Sequence, residues 1–189
     1  MPMYVWIIVG IVIVVAALAV LAYNQLVSLR EQVRAAWAQI DVALKRRHDL
    51  IPNLVETVKG YASHERQTLE NVIAARNRAV SLAGPGGSPR ERVEAEGALS
   101  GALRQLFAVA EAYPDLKANT NFLELQRELT DTENQIASQR LGYNALVARY
   151  NTTLQSFPMN LMAGPFGFTA MPFLEIQDPA QREAPVVKF

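Results

Sequence analysis

From Tyr4 to Ala22 the chain reads YVWIIVGIVIVVAALAVLA, an unbroken apolar run of 19 residues. As a helix it would be roughly 28 Å long, close to a bilayer hydrocarbon core of ~30 Å. A buried core helix rarely stays apolar on every face for five turns, so the pattern predicts a membrane span. Tyr4 and Trp6 at one end, with Tyr23 and Asn24 at the other, occupy the positions that headgroup-level side chains favour. A cleaved secretory signal is the rival reading, given the small residues around Ala17 and Ala19. It lacks support from a basic leader, and the run exceeds the usual signal length.

Beyond the run the periodicity changes to steps of three and four. Leu26, Leu29, Val33, Trp37, Ile40, Leu44, Ile51, Leu54, Val58 and Tyr61 form one stripe, with one turn skipped near Arg47. No Gly or Pro interrupts residues 24–51, so the anchor helix is expected to run into the first bundle helix without a linker. Pro52 predicts a kink, and Gly60 followed by Ser63 predicts the end of this helix and the cap of the next. The second helix spans 63–82, with Leu69, Val72, Ile73, Arg76 and Val80 along one side. The run AGPGGSP from Ala83 to Pro89 stops it, and Ser88 then caps a third helix that has Pro89 at its first position. That helix carries Val93, Leu99, Leu103, Leu106, Ala110 and Tyr113 up to a turn at Pro114-Asp115. The last long helix runs over 121–157, with Phe122, Leu125, Leu129, Ile136, Tyr143, Leu146, Tyr150, Leu154 and Phe157 inward.

The expected fold is therefore all-α: an N-terminal transmembrane helix continuing into an antiparallel up-and-down bundle of three to four long helices. It divides into a membrane anchor at 1–23, a helical bundle domain at 24–157 and a Pro/Phe-rich segment at 158–189 that packs on the bundle or on a neighbour.

Charge changes the picture in one respect. The totals balance at 18 basic and 18 acidic residues, yet none lies before Arg30. Arg30 and Arg34 follow the anchor and no Lys or Arg precedes it, so the positive-inside rule places the N-terminus outside the cell membrane and the bundle in the cytoplasm. Neutral charge and the lack of a basic, aromatic-studded surface argue against nucleic acid. The absence of cysteine removes disulfides, thiolate nucleophiles and Cys-ligated metals.

Candidate chemistry is sparse. His64-Glu65 opens like a zinc-protease motif, but Thr68 stands where the second ligand would be, so no metal site is expected. The glycines at 84–87 do not lead into a phosphate loop, and no nucleophile elbow is present. The strongest polar grouping is Asp41, Lys45, Arg46, Arg47, Asp49 and Asn53 on the first helix, with Glu128, Asp131, Glu133, Asn134, Arg140 and Asn144 on the last. At helical spacing the two sets are candidates for a network fixing bundle register, or for an interaction site. Phe166, Phe168 and Phe173 are candidates for a partner-contacting tail.

Four blocks taken in order, Tyr23 to Glu65, Ala108 to Asn119 (AVAEAYPDLKAN), Asn121 to Asn144 (NFLELQRELTDTENQIASQRLGYN) and Tyr150 to Phe168 (YNTTLQSFPMNLMAGPFGF), resemble the LemA family of bacterial membrane proteins. The likeness extends from the anchor to about Glu175, leaving out the 83–89 linker and the last dozen residues. It implies a single-pass anchor with its N-terminus outside and an antiparallel helical bundle, and it supplies no substrate, cofactor or catalytic mechanism. The expected role is a non-enzymatic scaffold or adaptor, held in the bilayer by residues 4–22, self-associating and recruiting a protein partner, with no cofactor and no small-molecule substrate. The alternative is an envelope-stress or membrane-remodelling factor acting directly on lipid.

Overall fold

A computed structural model describes residues 2–83 and 88–174, except for the side chain of Pro89. The Gly/Pro stop at 84–87 and the tail prolines Pro179 and Pro185 lie outside the described residues. The described chain is all helical in its regular structure: α1 (Met3–Lys59), α2 (Arg66–Leu82), α3 (Pro89–Ala110), the single turn α4 (Pro114–Lys117), α5 (Thr120–Gln155) and the single turn α6 (Asn160–Ala163).

α1 is continuous from the apolar run into the stripe, and it passes through Pro52 before ending at Lys59. The chain then turns through Val58, whose carbonyl accepts from the amides of Tyr61 and Ala62. Ser63 does not cap α2. Glu65 occupies the N-cap and makes no side-chain capping bond there; its carboxylate accepts from the Tyr113 hydroxyl at 3.0 Å instead. α3 begins as its sequence indicates: Ser88 Oγ accepts from the Glu91 amide and the Glu91 carboxylate accepts from the Ser88 amide, a reciprocal capping box ahead of Pro89. Asn119 starts α5 in a related way, its side-chain oxygen taking the Phe122 amide at 3.0 Å.

The helices divide into two compact units. The first holds α1 up to Gln39 together with Gln139–Phe173. Its core is Ala22, Leu26, Leu29 and Val33 from α1, with Tyr143, Val147, Tyr150 and Leu154 from α5, both at steps of four, three and four. Trp37 meets Tyr143 edge-on at 5.5 Å, while Arg30 lies by Phe168 and Tyr150 further along α5, so the two helices run antiparallel. After α6 the chain comes back along α5. Tyr150 donates to the Thr169 carbonyl at 3.1 Å and Tyr143 to the Pro172 carbonyl at 3.2 Å. Asn151 both donates to and accepts from the Met171 backbone, each at 2.9 Å.

The second unit is built from Ile40–Ser138. Its core packs Ile51, Leu54 and Val58 of α1 with Leu69, Val72 and Ala79 of α2, Leu99, Leu103 and Leu106 of α3, Leu116 of α4, and Phe122 and Leu129 of α5. Four expected core positions are on the surface instead: Tyr61, Ile73, Val80 and Phe157. In α2 the buried face is Leu69, Val72 and Ala79, which puts Ile73 and Val80 one position off it. Phe157 lies beyond the end of α5 at Gln155, where helical phase no longer assigns a face. Tyr61, likewise past the end of its helix, is exposed and accepts from the Asn119 amide group at 3.0 Å.

Candidate functional site

The skipped turn in the α1 stripe is occupied by a charge. Arg47 stands where an apolar residue would close the sequence Ile40, Leu44, Ile51, and only 1% of it is exposed. Its guanidinium donates to Glu96 of α3 through Nη2, and through Nη1 to Glu133 of α5 and to Ser100 Oγ at 3.0 Å. Ser100 in turn donates to the other Glu133 oxygen at 2.9 Å. The second Glu96 oxygen lies 2.9 Å from His48 Nε2, and with an ionised carboxylate as acceptor the ring nitrogen is the donor. The His48 carbonyl accepts from Arg76 Nε of α2 at 2.9 Å. All four long helices of this unit therefore meet at one polar layer, and Thr132 is buried beside it on α5.

The electrostatics follow from that enclosure. Burial pushes the Glu96 carboxyl up, but the His48 hydrogen bond and the Arg47 charge outweigh it, and the group lies below its ordinary value. Glu96 is 4% exposed, whereas the Glu133 side chain is half in solvent, so Glu96 carries the desolvated end of the pairing. The Arg47 Nε is buried without a hydrogen-bond partner among the described residues.

Two hollows flank the layer. One, of about 370 Å³, is lined by Lys45, His48, Asp49, Arg76, Arg92 and Glu96 among others. Arg92 there donates to the carbonyls of Leu82 and Ala83 at the end of α2 and approaches Asp41 at 3.6 Å, so it serves as a C-terminal cap for that helix. The other, of about 240 Å³, is lined by Ser100, Arg104, Phe107, Glu133 and Asn134 with neighbouring apolar side chains. Ser100 Oγ is engaged by Arg47 and Glu133 and makes no hydrogen bond to His48, so the layer has no serine–histidine pairing. Among the described residues no three His, Cys, Asp or Glu side chains are grouped to hold a metal ion.

The candidate network is thus brought together in part. Arg47 and Glu133 are at its centre, Asp41 pairs with Arg92, and Arg46 reaches Glu128 at 3.7 Å on the surface. Lys45, Asp49 and Asn53 are exposed on α1, and Asn134 is exposed at the rim of the smaller hollow. Arg140 and Asn144 belong to the first unit. Glu96, His48 and Ser100 are members that the α1–α5 pairing did not include. A sequence signal for Glu96 exists: the α3 stripe skips from Val93 to Leu99, and the α5 stripe skips from Leu129 to Ile136 beside Thr132 and Glu133.

The candidate tail also splits. Phe168 is buried at 5% exposure, its ring 5.7 Å from Tyr23 and 5.1 Å beneath the Arg30 guanidinium. It is an internal anchor of the first unit, not a surface contact. Phe166 leans on Tyr23 at 5.2 Å yet stays half exposed, and Phe173 is similarly open.

An exposed all-apolar helix segment joined to helices tied by an internal ionic layer defines a membrane-associated, all-helical protein. The chain belongs to the LemA family, whose model matches residues 36–189. It is 27% identical to magnetosome protein MamQ of Magnetospirillum gryphiswaldense over 168 residues, which cover 77% of this chain and 62% of that protein. It is also 27% identical to magnetosome protein MamQ 2 of Paramagnetospirillum magneticum, covering 88% of this chain and 70% of that one. Protein LemA of Metamycoplasma hominis is 27% identical over 74% of this chain and 63% of its own length. The chain thus spans somewhat under two thirds of the first of these relatives.

Proposed function

We propose that the protein is a non-enzymatic, membrane-anchored helical scaffold that self-associates and recruits a protein partner at the membrane surface. The observation that carries this reading is the fate of the buried polar residues. Arg47, Glu96, Glu133, Ser100 and His48 are spent on one another across helices, which fixes helix register and, among the described residues, leaves Ser100 bonded to Arg47 and Glu133 with no base beside it. Exposed apolar side chains along Met3–Leu21 suit a bilayer, and only 6% of the most apolar stretch of α1 is buried within the protein. That relatives are named for a magnetosome and not for a reaction is in keeping with a structural role.

The span is read as residues 4–22, with the N-terminus outside the inner membrane and the bundle in the cytoplasm, on the strength of Arg30 and Arg34. Crosslinking in cells and size analysis in mild detergent test the scaffold: covalent adducts and a particle larger than one chain are expected. A strictly monomeric particle with nothing captured refutes it. A proximity-labelling enzyme fused after Phe189 should label cytoplasmic proteins; labelling confined to the opposite side reverses the orientation.

A further inference from the structure

The chain carries no charged side chain between Arg149 and Glu175. Over the same stretch the first unit leaves large apolar side chains open: Phe157 is 79% exposed, Leu161 66% and Phe166 54%. They belong to one compact turn. α5 ends at Gln155, α6 follows at Asn160–Ala163, and the turn closes when the amides of Phe166 and Phe168 bond the carbonyls of Met162 and Ala163.

Its level along α1 is set twice over. The Phe166 ring lies 5.2 Å from Tyr23, the residue that follows the apolar run. Independently, α1 and α5 are antiparallel and meet at Trp37 and Tyr143. Counting equal rises of ~1.5 Å from that contact brings the end of α5 at Gln155 level with Gln25, so the turn that follows starts within two residues of Tyr23. The apolar turn therefore stands where the span would leave the hydrocarbon, at the depth that aromatic and neutral polar groups favour. Ser156, Asn160 and the turn's backbone provide the neutral polar partners that a headgroup layer requires.

We infer that the 157–166 turn is a second membrane contact, seated in the interfacial layer of the same bilayer that the N-terminal helix enters. The inference rests on the anchor reading and extends it. Its occupant is the lipid interface, because the open apolar side chains adjoin the membrane segment through Tyr23 and the turn carries no charged side chain of its own. A turn held this way complements the single helix by resisting its rotation about its own axis, since Phe166 fixes it against the Tyr23 side of α1.

The protein contains no cysteine, so single nitroxide labels can be attached to the full chain without background. Phe157→Cys and Leu161→Cys are compared with Ile13→Cys in the apolar run and with Leu141→Cys, exposed on α5 of the same unit. In phosphatidylcholine–phosphatidylglycerol vesicles, labels at 13, 157 and 161 should lose broadening by an aqueous nickel chelate and gain relaxation by oxygen. The 157 and 161 labels are expected at a depth of ~5–10 Å, and the one at 141 should stay nickel-accessible. Lipid-like behaviour at 13 with water-like behaviour at both 157 and 161 overturns the inference and leaves the anchor standing. Spin–spin broadening at 157 and 161 that disappears on dilution with unlabelled protein also overturns it, by showing a second copy on the turn. Nickel access at 13 removes the anchor and the inference together.

Discussion

Replacing Arg47 with Met keeps the length and removes the charge that three groups converge on. In the variant, Glu96 stays 96% enclosed with only His48 to bond, while Glu133, half in solvent, can turn to water. The cost thus falls on Glu96: one buried carboxylate stripped of its main counter-charge. Breaking a buried pair from one side typically costs 3–5 kcal/mol, of which the stranded partner accounts for most. For a unit of about a hundred residues each kcal/mol shifts the midpoint by ~4–8 °C, so a fall on the order of 12–40 °C is expected. Circular dichroism at 222 nm of the full chain in detergent measures it. The double variant Arg47→Met, Glu96→Leu removes both charges, and it should recover all but about 1–2 kcal/mol of the loss, His48 then being the group left short of a partner. A single variant within about 1 kcal/mol of the parent, or a double variant no better than the single, would show that the layer does not hold the helices as argued.

Glu96 also predicts a pH response. Its folded pKa is depressed, so it contributes stability that is fully present above the unfolded glutamate value of ~4.3 and is lost as pH falls through the lower folded value. Acid melts should steepen below that point, and Glu96→Gln should flatten this part of the profile while lowering stability near neutrality. Ser88→Ala, which removes the capping box of α3, should cost about 1 kcal/mol by denaturant titration; no change would mean the α3 start is held by packing alone. Phe168→Ala takes away a buried ring from beneath Arg30 and beside Tyr23, a loss of ~3–5 kcal/mol that should expose the 168–174 segment to limited proteolysis, whereas an unaltered cleavage pattern would refute its anchoring role.

Most helices were legible because their stripes and caps are local. The Ser88–Glu91 box, the stop after Leu82 and the heptad-like run of α5 each depend on residues within a few positions of one another. The polar layer was half legible. Arg47 and Glu133 stood out as charges in a network, but Glu96 sits in an α3 stripe whose gap reads as mere irregularity until α1 and α5 are seen to skip there too. Glu96 is also indistinguishable by type from the exposed Glu91 and Glu94 near it. Ile73 and Val80 misled for the opposite reason: strong hydrophobicity drew the face of α2 toward them, while the small Ala79 marks the side that packs. The role of Phe168 depends on a reversal of the chain after α6 that leaves no periodic trace.

Asn151 grips Met171 only through the backbone, giving one hydrogen bond and taking one. Such a grip cannot distinguish one side chain from another at position 171, so that site should accept nearly any residue except proline, whose missing amide would break the pair. Aspartate at 151 would offer two acceptors and no donor, so the apparently minor change Asn151→Asp loses half the grip. Between the buried Phe168 and Leu174, position 171 is therefore docked with a tolerance for its own side chain that Asn151 in the groove does not share, which makes it the natural place for a substituted reporter side chain while keeping the docking intact.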